Sequence, residues 1–169
     1  MLPFYHVRFF YLIPTSCPMN ENDHITHMQT AYEQALKSYE EGGLPIGAVL
    51  VETATGKVLA AGHNQRVQAG NPILHGEMDC LQKAGRRGNY RDTTLYTTLS
   101  PCMMCAGTIV QFGIEKVVVG EKENFDGNID FLKERGVEVV LLDDAQCKAL
   151  MGKFIAEKPE LWREDIAEG

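Results

Sequence analysis

Two short stretches constrain the fold of this sequence most strongly, because together they can hold one metal ion. One residue separates His75 from Glu77. Two residues separate Cys102 from Cys105, and Cys102 directly follows Pro101. An imidazole and two thiols suit a tetrahedral zinc ion and leave its fourth position for water, as in catalytic rather than structural zinc sites. The fold must therefore bring these two stretches together.

Each stretch alone has other interpretations. A Cys-x-x-Cys pair could be redox-active or half of a structural zinc site. The structural site needs a second pair, and Cys17, Cys80 and Cys147 stand singly. A redox pair gives no role to His75 and Glu77. The combination of His-x-Glu with a later Pro-Cys-x-x-Cys is the signature of zinc-dependent deaminases. Zinc lowers the pKa of water towards neutrality in such sites, and Glu77 beside that water can move protons.

Length and charge narrow the class of protein. A chain of 169 residues forms one domain with a sizeable core. Its formal net charge of −7 lowers the odds of a nucleic-acid partner, because such proteins usually present a basic face. Five cysteines without a framework spacing favour a reducing, cytoplasmic location.

The first 20 residues differ from the rest. Residues 2–14 are rich in Phe, Tyr and Leu, but His6, Arg8 and Pro14 interrupt them. The stretch is shorter than the roughly 20 apolar residues of a membrane span, and it lacks the clean apolar core and cleavage site of a signal peptide. We expect residues 1–20 to be a disordered or loosely attached extension without membrane contact, and residues 21–169 to form a zinc-dependent deaminase domain.

Hydrophobic periodicity and turn residues predict alternating elements after an initial helix and hairpin. The predicted helices cover residues 26–41, about 75–84, 101–112, 129–135, and a segment capped by Asp143 or Asp144 that ends near 157. The predicted strands cover residues 46–52, 57–62, 93–99, 116–120 and 137–142. Alternation after the hairpin predicts a mainly parallel sheet with helices on both faces. Cys102 is expected on the first turn of its helix, where the helix dipole favours a thiolate.

The likeness to known proteins extends beyond the two metal-binding stretches. From about Ala31 to the C terminus the sequence resembles the cytidine and deoxycytidylate deaminase superfamily, most closely the small fungal-type cytosine deaminases. The segments that carry this resemblance are 41–47 (EGGLPIG), 62–64 (GHN), 74–77 (LHGE), 92–102 (DTTLYTTLSPC), 119–125 (VGEKENF) and 162–166 (WREDI).

This resemblance implies a three-layer α/β/α sandwich whose five-stranded mixed sheet begins with an antiparallel hairpin. It also implies a homodimer, one zinc ion per chain on His75, Cys102 and Cys105, and proton transfer by Glu77. The substrate would be a free nucleobase. Asn64 and the Gly76 N–H would bind the ring carbonyl of this base. The Ser100 carbonyl and Asp165 would bind its amino group. An apolar lid of Phe125, Trp162 and Ile166 would cover the ring.

Some of these residues have a plainer alternative role. Phe125 and Trp162 could each simply fill the core rather than cover a substrate. Asp165 could likewise be a solvated charge. His63, on the approach to Asn64, is expected either to orient Asp165 or to fill space.

Cytosine, converted to uracil and ammonia in pyrimidine salvage, is the substrate expected first. Isocytosine, guanine-like purines, pterins and creatinine stay open, because two residue pairs expected near the pocket, 78–79 and 103–104, differ from those of the fungal enzymes. A second hypothesis is a tRNA adenosine deaminase, which would need a basic face and a pocket open to a flipped nucleotide. A third is a catalytically silent, zinc-stabilised dimer module, which would need neither Glu77 nor an open zinc position.

Overall fold

The computed structural model describes residues 20–168, so nearly all of the predicted extension over residues 1–20 lies outside the described residues, as does Cys17. Within residues 20–168, no helix is both long and apolar enough to span a bilayer. In chain order the elements are α1 (Glu21–Glu40), β1 (Gly47–Glu52), β2 (Val58–His63), α2 (Gly76–Ala84), β3 (Thr93–Leu99), α3 (Met103–Phe112), β4 (Lys116–Glu121), α4 (Ile129–Glu134), β5 (Glu138–Leu141), α5 (Ala145–Glu157) and α6 (Pro159–Asp165).

The five strands form one mixed sheet in the order β2-β1-β3-β4-β5. β1 runs antiparallel to both β2 and β3, whereas β3, β4 and β5 run parallel. The mixed sheet and its initial antiparallel hairpin are thus confirmed, and the strands after the hairpin are parallel to one another as predicted. The position of β1 between β2 and β3 was not predicted, and it makes both pairings of β1 antiparallel.

Alternate strand residues face the two helical layers, as a period of two requires. Leu50, Leu95 and Val117 belong to a core shared with α2, α3 and α4, where Cys80 is buried. Neighbouring strand residues pack on the other face against α1 and α5, where Cys147 is buried. The three-layer arrangement is therefore confirmed, and both cysteines are core residues as predicted.

Helix boundaries depart from the predictions where capping decides them. α1 begins at Glu21 rather than Thr26, because the side chains and backbone N–H groups of Asn20 and Asp23 form a reciprocal capping box. α5 is capped by Asp144, whose Oδ1 accepts a hydrogen bond from the Cys147 N–H at 2.8 Å. Pro159 occupies the first turn of α6, where its missing N–H costs little.

Candidate active site

Two helix starts carry the predicted metal ligands. His75 is the N-cap of α2, and Cys102 is the N-cap of α3, which begins at Met103. Pro101 therefore precedes the cap instead of opening the helix, and Cys102 lies at the cap rather than within the first turn as predicted. The start of α2 lies tightly against the residue that precedes β1, since a Cβ on Gly76 would come within 2.8 Å of the Ile46 carbonyl oxygen.

The three predicted ligands converge. Their ligand atoms, on His75, Cys102 and Cys105, all lie within 4.8 Å of one another. His75 Nδ1 is 3.5 Å from Cys102 Sγ. Two ligands of one tetrahedral zinc ion, with bonds of about 2.0–2.3 Å, are separated by roughly 3.5 Å. The donor set and this spacing fit zinc, so these residues form a possible metal site.

The electrostatics of the cluster favour a metal-binding thiolate. A hydrogen bond from Cys105 lowers the pKa of Cys102 to about 4, and contact with His75 acts in the same direction against the effect of burial. Burial alone would lower the pKa of His75, but Cys102 and Asp165 outweigh it and raise that pKa to about 9. Thiolate is the form that binds metal, and metal binding then displaces the remaining protons.

Glu77 lies beside the ligands on the first turn of α2 and is only 3% exposed. The Thr97 hydroxyl donates a hydrogen bond to Glu77 Oε1 at 3.1 Å. Burial, followed by the negative charge of Cys102, raises the pKa of Glu77. A carboxyl group that holds a proton more readily than usual is suited to general acid–base work. Sequence reasoning missed Thr97, because nothing in a strand of threonines marks which one faces a carboxylate.

A cavity of about 380 Å³ opens beside this cluster. The metal-ligand residues His75 and Cys102 line it together with Glu77. Five residues predicted to contact substrate also line it, namely Ser100, Phe125, Trp162, Asp165 and Ile166. Their position at the cavity suits that role, which stays a prediction.

Other residues near the cavity were less well anticipated. Met103 and Met104 line it, as expected, and so does Asn128, which no sequence pattern indicated. Met78 lines a different cavity, on the α2–α3 side of the molecule, and Asp79 instead accepts a hydrogen bond from the His63 N–H. Residues 78–79 directly follow Glu77, which lines the cavity, but they do not line it themselves.

The last helix covers one side of the cavity. Trp162 of α6 is buried and meets Phe125 edge-on, with ring centroids 5.9 Å apart and planes at 90°. Asp165, at the end of α6, places Oδ1 3.5 Å from His75 Nε2. Burial raises the pKa of Asp165, against the opposing effects of His75 and Arg66. The short α6 thus brings an aromatic ring and a carboxyl group to the metal-binding cluster.

Asn64 and Gly76 are buried and are not among the residues of the described chain that line the cavity. Asn64 Oδ1 accepts a hydrogen bond from the Arg66 N–H at 2.9 Å, while Asn64 Nδ2 is buried without a hydrogen-bond partner in residues 20–168. His63 does not take the expected orienting role, since its Nε2 lies 2.9 Å from Glu41 Oε2. Arg66 contacts Asp165 instead.

Comparison with known proteins places these features in context. Residues 21–121 match a family model described as the cytidine and deoxycytidylate deaminase zinc-binding region. The chain is 53% identical over 143 residues to a cytosine deaminase of Candida albicans, covering 83% of this chain and 95% of that protein. It is 36% identical over 118 residues to a tRNA-specific adenosine deaminase of Streptococcus pyogenes, covering 68% of each.

Solved structures show the same fold. A dCMP deaminase from the cyanophage S-TIM5, determined in its apo form, superimposes with a TM-score of 0.59 at 29% identity. The match covers 73% of this chain and all of that one. The stretch matched by the family model contains His75, Glu77, Cys102 and Cys105, whereas α6 lies beyond it.

Proposed function

Because the chain belongs to the cytidine and deoxycytidylate deaminase zinc-binding family, we propose that it is a zinc-dependent aminohydrolase that converts free cytosine to uracil and ammonia. The observation that carries the choice of a free base is α6, whose Trp162 closes the cavity beside the metal-ligand cluster. The high identity to the Candida albicans cytosine deaminase supports the same substrate.

The size and cover of the cavity favour a small ring over a nucleotide within RNA. Its volume of about 380 Å³ is near the lower end of the roughly 300–1,000 Å³ of small-molecule pockets. A flipped nucleotide needs an open path for its backbone and a basic surface around it. In this protein α6 covers the cavity instead of leaving an open path, and a net charge of −7 does not favour a basic surface.

Glu77 is the residue that we assign to proton transfer. Zinc held by His75, Cys102 and Cys105 would activate a water molecule as the nucleophile. The Glu77 carboxylate would take one proton from this water and donate it to the ring nitrogen next to the reacting carbon. It would then take the proton of the newly added hydroxyl group and donate it to the amino group, so that the C–N bond breaks, ammonia leaves and a carbonyl group remains. A positioned acid–base group of this kind contributes roughly 10²–10⁴-fold to the rate.

We assign substrate recognition to four buried polar groups, of which those of Ser100 and Asp165 belong to residues that line the cavity. The amide of Asn64 has an unpartnered Nδ2 that suits a ring carbonyl oxygen, together with the Gly76 N–H. The Ser100 carbonyl and Asp165 would accept hydrogen bonds from the exocyclic amino group. A ligand that lacks these groups would leave buried polar atoms unpaired, which is how such sites reject analogues. Phe125, Trp162 and Ile166 would cover the ring.

We further propose that residues 21–169 are the deaminase domain and that it acts as a homodimer. The family resemblance supports a dimer, and so do the exposed apolar side chains of Ile73 and Phe112, which line the second cavity on the α2–α3 side. A cytoplasmic location, based on the cysteine count, stays a prediction.

A substrate panel tests the proposal. Zinc-loaded protein is incubated with cytosine, isocytosine, guanine, pterin, creatinine, cytidine, adenosine and transfer RNA, and ammonia is measured. Release from cytosine well above all others supports the proposal. Release from transfer RNA alone would replace cytosine with an RNA substrate. Release from none of them, by protein with a full complement of zinc, would favour the silent dimer module.

A further inference from the structure

Arg66 connects the loop after β2 to the helix that covers the cavity. Its side chain is only 16% exposed. One guanidinium nitrogen, Nη2, lies 3.2 Å from Glu164 Oε1, and the other, Nη1, lies 3.9 Å from Asp165 Oδ1. These two acids are neighbours at the C-terminal end of α6, so a single cation faces both.

Apolar packing and ion pairs both connect α6 to the rest of the molecule. Trp162 belongs to a buried cluster with residues such as Leu44 and Phe154. Seven residues are too few for a helix that is stable by itself in water. Within α6, Arg163 pairs with Glu160, which does nothing to fix the helix to the rest of the molecule. In the described part of the chain, the ion pairs that join α6 to other elements are those made by Arg66 and His75.

The charge of Asp165 makes the Arg66 contact important. The Asp165 side chain is 6% exposed, and His75, Arg66 and the Asn64 side chain all favour its charged form. A buried carboxylate is unfavourable unless a cation or donors compensate it. Arg66 and His75 are the two side chains that form ion pairs with Asp165 in residues 20–168, and of these only Arg66 also reaches Glu164.

We propose that Arg66 is a positioning residue that holds α6 over the cavity through Glu164 and Asp165. This role assumes that the cavity is the site of the proposed deamination. The backbone N–H of the same residue donates to Asn64 Oδ1. One short loop therefore both binds the Asn64 side chain and contacts the helix that covers the cavity.

The sequence provides a direct reporter, because Trp162 of α6 is the only tryptophan in the 169 residues. Its fluorescence and its quenching by acrylamide therefore report on how well α6 is docked. We compare Arg66→Ala and Arg66→Lys with the wild type. Arg163→Ala is the matched control, because it removes an arginine of α6 that is 49% exposed and whose ion pair in the described residues is with Glu160 of the same helix.

Arg66→Ala is expected to raise the quenching constant of Trp162 several-fold and to shift its emission to the red. The quenching constant of Arg66→Lys should lie between those of the wild type and Arg66→Ala, since lysine keeps the positive charge but lacks the planar guanidinium group. Arg163→Ala should match the wild type. In 1 M NaCl the quenching constant of the wild type should rise towards that of Arg66→Ala, because salt screens the ion pairs. The quenching constant of Arg66→Ala itself should change little.

Kinetics separate positioning from general stability. Arg66→Ala should raise KM for cytosine about tenfold, the scale of one charge-assisted hydrogen bond, with a smaller effect on kcat and an unchanged zinc content. Arg66→Lys should recover part of this loss. If Arg66 had a merely structural role, Arg66→Ala would lower the melting temperature without raising KM more than it lowers kcat.

Wild-type quenching of Trp162 in folded Arg66→Ala would overturn the proposal, whatever the substrate. If Arg66→Ala does not fold, wild-type quenching in both Arg66→Lys and Glu164→Gln would overturn it instead, the latter variant at a position that is 63% exposed. Absence of ammonia release from every base would refute the proposed function. The fluorescence comparison would still decide the role of Arg66.

Discussion

The hydroxyl group of Thr97 lies 3.1 Å from Oε1 of Glu77. Thr97 is fully buried in β3, and the hydroxyl is also 3.2 Å from the Leu99 carbonyl oxygen. A residue of β3 thus fixes the orientation of the Glu77 carboxyl group, which lies on the first turn of α2. Orientation matters here, because a proton-transfer group acts only within hydrogen-bond reach of its target.

Replacing Thr97 by valine should slow turnover while leaving zinc in place. Thr97→Val keeps the shape of the side chain but removes the donor to Glu77, and such a bond to a charged group is worth about 1.5–3 kcal/mol. We expect kcat to fall roughly 10- to 100-fold, measured as ammonia release at saturating cytosine. Thr97→Ser, which keeps the hydroxyl group, should stay within a few-fold of the wild type. A Thr97→Val enzyme as fast as the wild type would show that Glu77 needs no such support.

Glu77→Gln should abolish turnover without loss of metal. Glutamine has nearly the same shape but cannot transfer protons, so we expect a loss of roughly 10²–10⁴-fold in kcat. Zinc content by atomic emission should remain that of the wild type, because the proposed ligands are His75, Cys102 and Cys105. Near-normal ammonia release from the mutant would remove Glu77 from the mechanism.

Removal of one thiol of the cluster should remove zinc. Cys102→Ala leaves two ligands, and we expect its zinc content to fall to a small fraction of one ion per chain, with ammonia release lost in parallel. Cys147→Ala is the control, since Cys147 is buried in the core on the α1–α5 face. That variant should keep its zinc even if it is less stable. Equal zinc content in the two variants would contradict the assignment of Cys102 as a ligand.

Two buried histidines of α1 should make the fold sensitive to acid. Burial is the largest effect and lowers the pKa of both His24 and His27. His24 Nδ1 lies 2.8 Å from the Tyr96 hydroxyl, and the His27 ring packs on the same tyrosine. Below the unfolded pKa of about 6.5, the unfolded chain binds protons that the folded chain takes up less readily. Stability is therefore present above that pH and lost as the pH falls, by at most about 1.4 kcal/mol per pH unit for each proton.

The double variant His24→Asn/His27→Gln tests this acid sensitivity. Its melting temperature should fall less between pH 7.5 and 5.5 than that of the wild type, even if it starts lower. The single variants should each remove part of the difference. An equal fall in the wild type and the double variant would mean that other groups cause the acid sensitivity.

Much of the metal-binding cluster followed from the sequence, because its signals are local. A histidine and two cysteines at fixed spacings predict a ligand set before any contact is known, and the structure brings these three residues together as a possible metal site. The catalytic role of Glu77 is predicted from the His-x-Glu spacing, with one residue between His75 and Glu77. Helix and strand order followed from periodicity, and Asp144 was one of two predicted caps for α5.

The tertiary structure decided the remaining features, since they depend on contacts between parts of the chain that no local pattern connects. The place of β1 between β2 and β3 is set by packing of the whole sheet, and both pairings of β1 are antiparallel as a result. The pairing of Arg66 with Asp165 and the bond from Thr97 to Glu77 are likewise invisible in the sequence. A residue type reveals the chemistry that a side chain can perform, whereas only the folded backbone determines which neighbour it meets.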